Sequence, residues 1–255
     1  MKNFIKKIFK KFLSLFGVKL SRINNITLNI YPIEASHNEL NLIKACEQYS
    51  MTGPIRMWAL IQSLKHVANF NLEGDLVECG VWKGGNLALM KLFSNNLNLS
   101  KQVVGFDTFE GMPDPTDIDV DYAGTSAAQR MQRELKKENI KNIHAYCSLE
   151  QVKKNLSEIN VKDSVKLIKG RVEETLLISN NLPNKISILR LDTDWYESTK
   201  IELEILFPRL VIGGVLLIDD YGHFKGAKQA VDEYFKNQNV WLHYIDYSCR
   251  MIIKK

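Results

Sequence analysis

Two apolar strands that each run straight into a pair of carboxylates constrain this chain more than any other feature. Ile188-Leu-Arg-Leu191 leads into Asp192-Thr-Asp194, and Val215-Leu-Leu-Ile218 leads into Asp219-Asp220. If the two strands are parallel neighbours, all four acids meet at one carboxyl edge of one sheet. Gathered carboxylates repel each other unless a cation or a shared proton compensates. A hard divalent ion such as Mg²⁺ meets that need with oxygen ligands. The alternative is two unrelated strand ends whose aspartates cap the helices that follow.

The rest of the chain alternates strand and helix signals. Strands are expected over 75–79, 101–106, 143–146, 165–169, 186–191 and 215–218, with helices between them and a terminal strand pair over 240–245 and 249–253. That order describes an α/β fold with a mostly parallel sheet, helices on both faces and an antiparallel C-terminal hairpin. Its 255 residues suit one such domain with additions. Pro54 is placed to open a helix reaching 69. The first strand runs into Gly80-Val-Trp-Lys-Gly-Gly85, a turn that lets a ligand approach the backbone. Its GxxxGG spacing is not the dinucleotide fingerprint GxGxxG, which weakens an oxidoreductase reading. Asp107 closes the second strand, where an acid commonly accepts from a ribose diol. The acidic run Asp114, Asp117, Asp119, Asp121 lacks the glycine and closing glutamate of an EF-hand and is expected to be a mobile, solvated loop.

Charge and cysteine usage exclude several classes. The formal charge is +5, but residues 1–20 hold six lysines and no acid, leaving 28 basic against 29 acidic residues in the other 235. That is not the broad basic surface of a nucleic-acid binder. Phe4, Ile5, Ile8, Phe9, Phe12, Leu15 and Phe16 recur at helical spacing among those lysines. Residues 1–18 could lie peripherally on an anionic membrane, or pack on the body or on a second subunit of a homodimer. Charge interrupts the arm too often for a bilayer span or a signal peptide. Cys46, Cys79, Cys147 and Cys249 form no CxxC pair, which fits a reducing, cytoplasmic setting, with the inner membrane face as the alternative.

Four stretches together resemble the macrocin-type O-methyltransferases: Val77-Glu-Cys-Gly-Val-Trp-Lys-Gly-Gly85, Gly105-Phe-Asp-Thr-Phe-Glu-Gly-Met-Pro113, Leu189-Arg-Leu-Asp-Thr-Asp-Trp-Tyr-Glu-Ser-Thr199 and Leu217-Ile-Asp-Asp-Tyr-Gly222. Val231-Asp-Glu-Tyr-Phe235 extends the match, which covers roughly residues 50–253, and the acidic motifs are its most specific part. The resemblance implies a class I, Rossmann-like methyltransferase sheet, S-adenosylmethionine as donor, a divalent metal and a sugar or glycan hydroxyl as acceptor. It assigns Glu78 and Gly80 to the first cofactor motif, Asp107 to the donor ribose and Ser148, after the strand expected at 143–146, to the adenine end. It matches Asp192, Asp219 and Asp220 to metal ligands and Asp194 to a general base. On that reading residues 1–20 are a basic amphipathic arm, 21–70 a helical extension or lid, and 71–255 the catalytic domain. A catechol or phenol acceptor, or a non-catalytic binding protein of the same fold, are the competing readings. Trp195 and Tyr196 are candidates for a sugar wall or for core packing, His223 for a substrate or metal contact or a solvated loop, and Arg190 for orienting a carboxylate or pairing with a helix acid.

Overall fold

Burial on both faces decides the central strands. Every residue of Ile186–Leu191 is buried, as is the end of Leu210–Ile218, so these strands can sit only inside a two-sided sandwich. Full burial of each such aliphatic side chain contributes about 1.5–3 kcal/mol. In this computed structural model residues 31–135 and 144–255 are described, together with Leu13. Apart from Leu13, the arm over residues 1–20 lies outside the described residues.

In chain order the elements are α1 (His37–Glu47), α2 (Pro54–Asn69), β1 (Asp75–Cys79), α3 (Gly85–Asn96), β2 (Val103–Asp107), α4 (Ala127–Leu135), α5 (Leu149–Glu158), β3 (Val165–Lys169), α6 (Val172–Thr175), β4 (Ile186–Leu191), α7 (Tyr196–Leu206), β5 (Leu210–Ile218), α8 (Lys225–Phe235), β6 (His243–Tyr244) and β7 (Arg250–Ile253). The sheet order is β3-β2-β1-β4-β5-β7-β6. The first five strands are parallel, and β7 and β6 close the sheet antiparallel. This is the class I methyltransferase arrangement, with the switch point between β1 and β4 where the strand order reverses.

Side-chain alternation divides the core in two. Leu76, Ile188, Val215 and Leu217 face α1, α2 and α3 and pack with Ile43, Met57, Leu60 and Leu87. Val77, Leu189, Leu216 and Ile218 face α7 and α8 and pack with Leu203, Leu206 and Val231. The helices of the 21–70 stretch therefore share one core with the sheet. Ser36 starts α1 with a reciprocal capping box to Glu39, and Pro54 begins α2 as its position requires. Among the described residues no helix is long and apolar enough to cross a membrane.

Four expectations are corrected. The third strand is Val165–Lys169, paired with β2, and residues 144–146 form no strand. Ala145 takes φ 39°, which an extended strand cannot accommodate, and the His144 carbonyl accepts from Met112 N at 2.8 Å. Ser148 therefore follows no strand. It caps α5, its hydroxyl accepting from Gln151 N at 3.2 Å. The acidic loop is not solvated throughout. Asp119 is fully buried and accepts from Thr116 N, Thr116 Oγ1 and Tyr196 N, while Asp121 accepts from Ala123 N and Thr125 N. The expected strand over 240–245 contracts to two residues.

Candidate active site at the carboxyl edge

The strand ladder continues one residue past the strands, and this builds the site. Gly80 N donates to Phe106 O, Asp192 N to Cys79 O and Asp219 N to Leu191 O, each at 2.9 Å. Gly80, Asp192 and Asp219 thus stand side by side at the ends of β1, β4 and β5. Gly80 has φ +83°, and a Cβ there would meet the Asp192 carbonyl oxygen at 1.9 Å. No other residue type fits where the donor-motif turn and the acidic edge touch.

Alternation explains why adjacent acids differ. Glu78, Arg190, Asp192 and Asp219 fall on the face covered by α2. Arg190, 3% exposed, donates from Nη1 to Glu78 Oε1 and Asp192 Oδ2, both at 2.7 Å, and from Nη2 to Asp219 Oδ1. From α2, Arg56 donates through Nη1 to Asp219 Oδ2 and through Nε to Asp246 Oδ2 at 2.7 Å. Both oxygens of Asp219 are thereby engaged by guanidinium groups. Asp220 begins the turn beyond the strand and joins Asp192 and Asp194, with one oxygen of each within 4.8 Å of the others. Asp194 is reached through a left-handed backbone, φ +66°, an uncommon conformation for a residue with a side chain. Thr193 between the two aspartates donates to Oε2 of fully buried Glu202 at 3.1 Å, which anchors the segment from behind.

Five acids, Glu78, Asp192, Asp194, Asp219 and Asp220, meet two guanidiniums here. The electrostatics follow: burial raises Asp194 to about 7 and lifts Asp192 and Asp220 well above the usual carboxylate range. The mutual repulsion of the acids adds to both. Glu78 is also pushed up to about 7 by burial, against the pull of Arg190. Three convergent carboxylate oxygens that resist ionising together form a donor set suited to a hard divalent cation.

A cavity of about 310 Å³ joins this edge to the glycine turn. Gly80, Trp82, Asp107, Thr108, Gly170 and Arg171 line one end, and Asp192, Asp194, Asp219, Asp220, His223 and Tyr247 line the other. Asp107 Oδ2 accepts from Val81 N at 2.7 Å and Trp82 N at 3.0 Å, and Oδ1 from Phe109 N at 2.7 Å, so it holds the turn's backbone in shape. Glu78 and Ser148 are not on the wall. Glu78 lies behind it with Arg190, and Ser148 sits at the start of α5. Trp195 is core, 3% exposed, with its indole N–H on Pro113 O at 3.0 Å. The hydroxyl of Tyr196 is held by Glu233. His223 lies on the wall, and its Nδ1 is 3.3 Å from the Tyr247 hydroxyl. Burial, with Arg130 nearby, lowers the pKa of His223. Arg56 was missed in the sequence. Its position in the first turn of α2, where the helix dipole opposes a cation, was the available signal.

The family model of the macrocin-O-methyltransferases (TylF) matches residues 17–253. The demethyldecarbamoylnovobiocin O-methyltransferase of Streptomyces niveus is 32% identical over 188 residues, 73% of this chain and 67% of that protein. The 8-demethyl-8-(2,3-dimethoxy-alpha-L-rhamnosyl)-tetracenomycin-C 4'-O-methyltransferase of Streptomyces olivaceus is 32% identical with the same coverage. The solved structure of the O-methyltransferase NovP superposes with a TM-score of 0.70 at 29% identity, covering 81% of this chain and 82% of that one.

Proposed function

The chain belongs to the macrocin-O-methyltransferase family, and on that premise we propose that it transfers a methyl group from S-adenosylmethionine to a sugar hydroxyl of a glycosylated acceptor. The observation that carries this reading is the single cavity with the Gly80–Asp107 turn at one end and the three converging carboxylates at the other. We assign the donor to the first end. Gly80 admits it close to the backbone, and Asp107 shapes the turn and offers its remaining lone pairs to a ribose. Glu78 fixes β1 beneath it through Arg190, and Ser148 holds the start of α5 beside Ala145 on the wall.

We assign Mg²⁺ to the acidic edge, with Asp192 and Asp220 as ligands, Asp194 beside them, and Asp219 on the same edge but held by Arg190 and Arg56. The cation, when bound, makes an acceptor hydroxyl easier to deprotonate. Asp194 takes the hydroxyl proton, its raised pKa matching a base that works near neutrality. The oxygen gains the methyl, and the donor's sulfur leaves as a neutral thioether. The fold's contribution is register: one cavity spans the ends of β1 and β4, where donor and acceptor would be held together.

The test uses radiolabelled S-adenosylmethionine with demethyldecarbamoylnovobiocin, a set of methyl glycosides and small catechols, each with and without chelator. Methyl transfer to a glycoside, abolished by chelator and restored by Mg²⁺, is the expected result. Transfer confined to catechols would replace the sugar acceptor. Undiminished transfer after metal removal verified by elemental analysis would remove the cation.

A further inference from the structure

Asp219 and Asp220 are neighbours in sequence, yet they are bound into different networks. Asp220 converges with Asp192 and Asp194, whereas both Asp219 oxygens are taken up by Arg190 and Arg56. The two arginines are not equivalent. Arg190 belongs to β4 and is bonded to three acids of the same sheet face, so it is part of the edge itself. Arg56 comes from outside the sheet, on the first turn of α2, and is tied from its other side to Asp246. The next residue, Tyr247, carries its ring 5.6 Å from the Arg56 guanidinium and lines the cavity. A helix gains nothing from a cation in its first turn, where its dipole is positive. The position is explained by what Arg56 does to Asp219.

We propose that Arg56 is a positioning residue that withholds Asp219 from a divalent cation and so sets how tightly the acidic edge binds one. The inference rests on the cation assigned under the proposed function. With Arg56 in place, Asp219 Oδ2 is committed to a guanidinium, and a fixed positive charge stands next to the cation site. Both effects weaken cation binding. Removing the guanidinium takes away the repulsion and releases a fourth carboxylate oxygen on the same edge. Asp246 contributes by holding Arg56 from the far side.

The experiment is Mn²⁺ binding to the full chain, followed by the electron paramagnetic resonance signal of free Mn²⁺ and repeated by calorimetry with Mg²⁺. The proteins are wild type, Arg56→Met, Arg56→Lys, Asp246→Asn, Asp219→Asn and the Arg56→Met/Asp219→Asn double variant. Arg56→Met should bind Mn²⁺ roughly tenfold more tightly than wild type, within the range of couplings between contacting charged residues. Arg56→Lys, which keeps the charge, should stay near wild type, and Asp246→Asn should tighten binding by less than Arg56→Met does. In the double-mutant cycle, Asp219→Asn should cost roughly tenfold more affinity in the Arg56→Met background than in wild type. Additive effects in that cycle, or unchanged or weaker Mn²⁺ binding by folded Arg56→Met, would overturn the proposal. If Arg56→Met does not fold, Asp246→Asn decides alone, and an affinity equal to wild type overturns it. Absence of Mn²⁺ and Mg²⁺ binding in wild type and every variant would overturn the cation assignment itself, a result distinct from a cation that binds without regard to Arg56.

Discussion

Arg190 and Glu78 face each other across the β1–β4 register and bond through Nη1 and Oε1 at 2.7 Å. Both are essentially excluded from solvent, at 3% and 1% exposure. The arginine that interrupts an otherwise apolar strand is therefore the counter-charge for the donor-motif glutamate and, through its other bonds, for Asp192 and Asp219.

Replacing Arg190 should be costly for folding. Arg190→Met leaves Glu78, Asp192 and Asp219 without their shared partner, and breaking a buried pair from one side typically costs about 3–5 kcal/mol. Glu78→Gln should cost less, because an amide oxygen still accepts from Nη1. Urea denaturation monitored by circular dichroism gives both values. Equal stability of Arg190→Met and wild type would show that the pairing is not structural.

Asp119 should prove to be the fastener of the loop over 114–126. It caps α7 from a distance of 77 residues by accepting from Tyr196 N at 2.9 Å, a role the local N-cap Trp195 leaves unfilled. Asp119→Ala leaves that part-buried N–H without its partner, a loss of about 1 kcal/mol. Hydrogen exchange should rise over 116–126 while affinity for S-adenosylhomocysteine stays at the wild-type level. Unchanged exchange in that stretch would assign the loop's order to its other contacts.

The architecture was legible because it rests on local signals. The apolar runs of β4 and β5, Pro54 at the head of α2 and the acid pairs at the strand ends each carry their meaning in a few adjacent residues. What escaped depends on partners far along the chain. The stretch 143–146 has strand-like composition, but its backbone is committed to Met112, more than thirty residues away. Asp119 and Asp121 read as solvated acids because their acceptor role is visible only once Tyr196 and the loop's own amides surround them. The four acids of the edge were equally readable as a group. Their division between the Arg190–Arg56 pair and the three-carboxylate set was not, because Arg56 stands 163 residues from Asp219. Alternation alone would put Asp192 and Asp194 on one side of a continuing strand. The left-handed turn at Asp194 brings them together by another route.

The edge should make stability depend on pH in a direction opposite to ordinary acid denaturation. Asp194 is raised by burial from 3.8 to about 7, and Asp192 and Asp220 are raised as well. Between the unfolded value and about 7 the native state holds more protons than the unfolded chain, so this contribution is full at low pH and is lost as pH rises through that window. A cation needs these groups ionised. In chelator, Tm should therefore fall between pH 5 and pH 8, and the rise in Tm on adding Mg²⁺ should be larger at pH 8 than at pH 5. A Mg²⁺ effect independent of pH would place the ion away from these carboxylates.

Asp194 and Asp192 should separate by what each loses. Asp192 is bonded to Arg190 and sits in line with the strand end, where it lines the cavity and can serve an ion. Asp194 lies beyond the turn and is free of an arginine bond among the described contacts, so it is the acid placed to meet an acceptor hydroxyl. At saturating Mg²⁺ and donor, Asp194→Asn should slow single-turnover methyl transfer by about 10²- to 10⁴-fold, the usual range for a proton-transfer group. Asp192→Asn should instead raise the Mg²⁺ concentration needed for half-maximal transfer. The wild-type rate should rise with pH as Asp194 ionises. A bound cation favours the carboxylate, so that limb should lie at or below about 7. The same limb should vanish in Asp194→Asn, because a carboxamide does not ionise in this range. Saturating Mg²⁺ matters because one Asp194 oxygen lies within 4.8 Å of those of Asp192 and Asp220, so a weakened ion could imitate a lost base. If Asp194→Asn at saturating Mg²⁺ transfers methyl at the wild-type single-turnover rate, Asp194 is a ligand and not the base. The proton must then leave through the cavity's other groups, of which His223 is the nearest in kind.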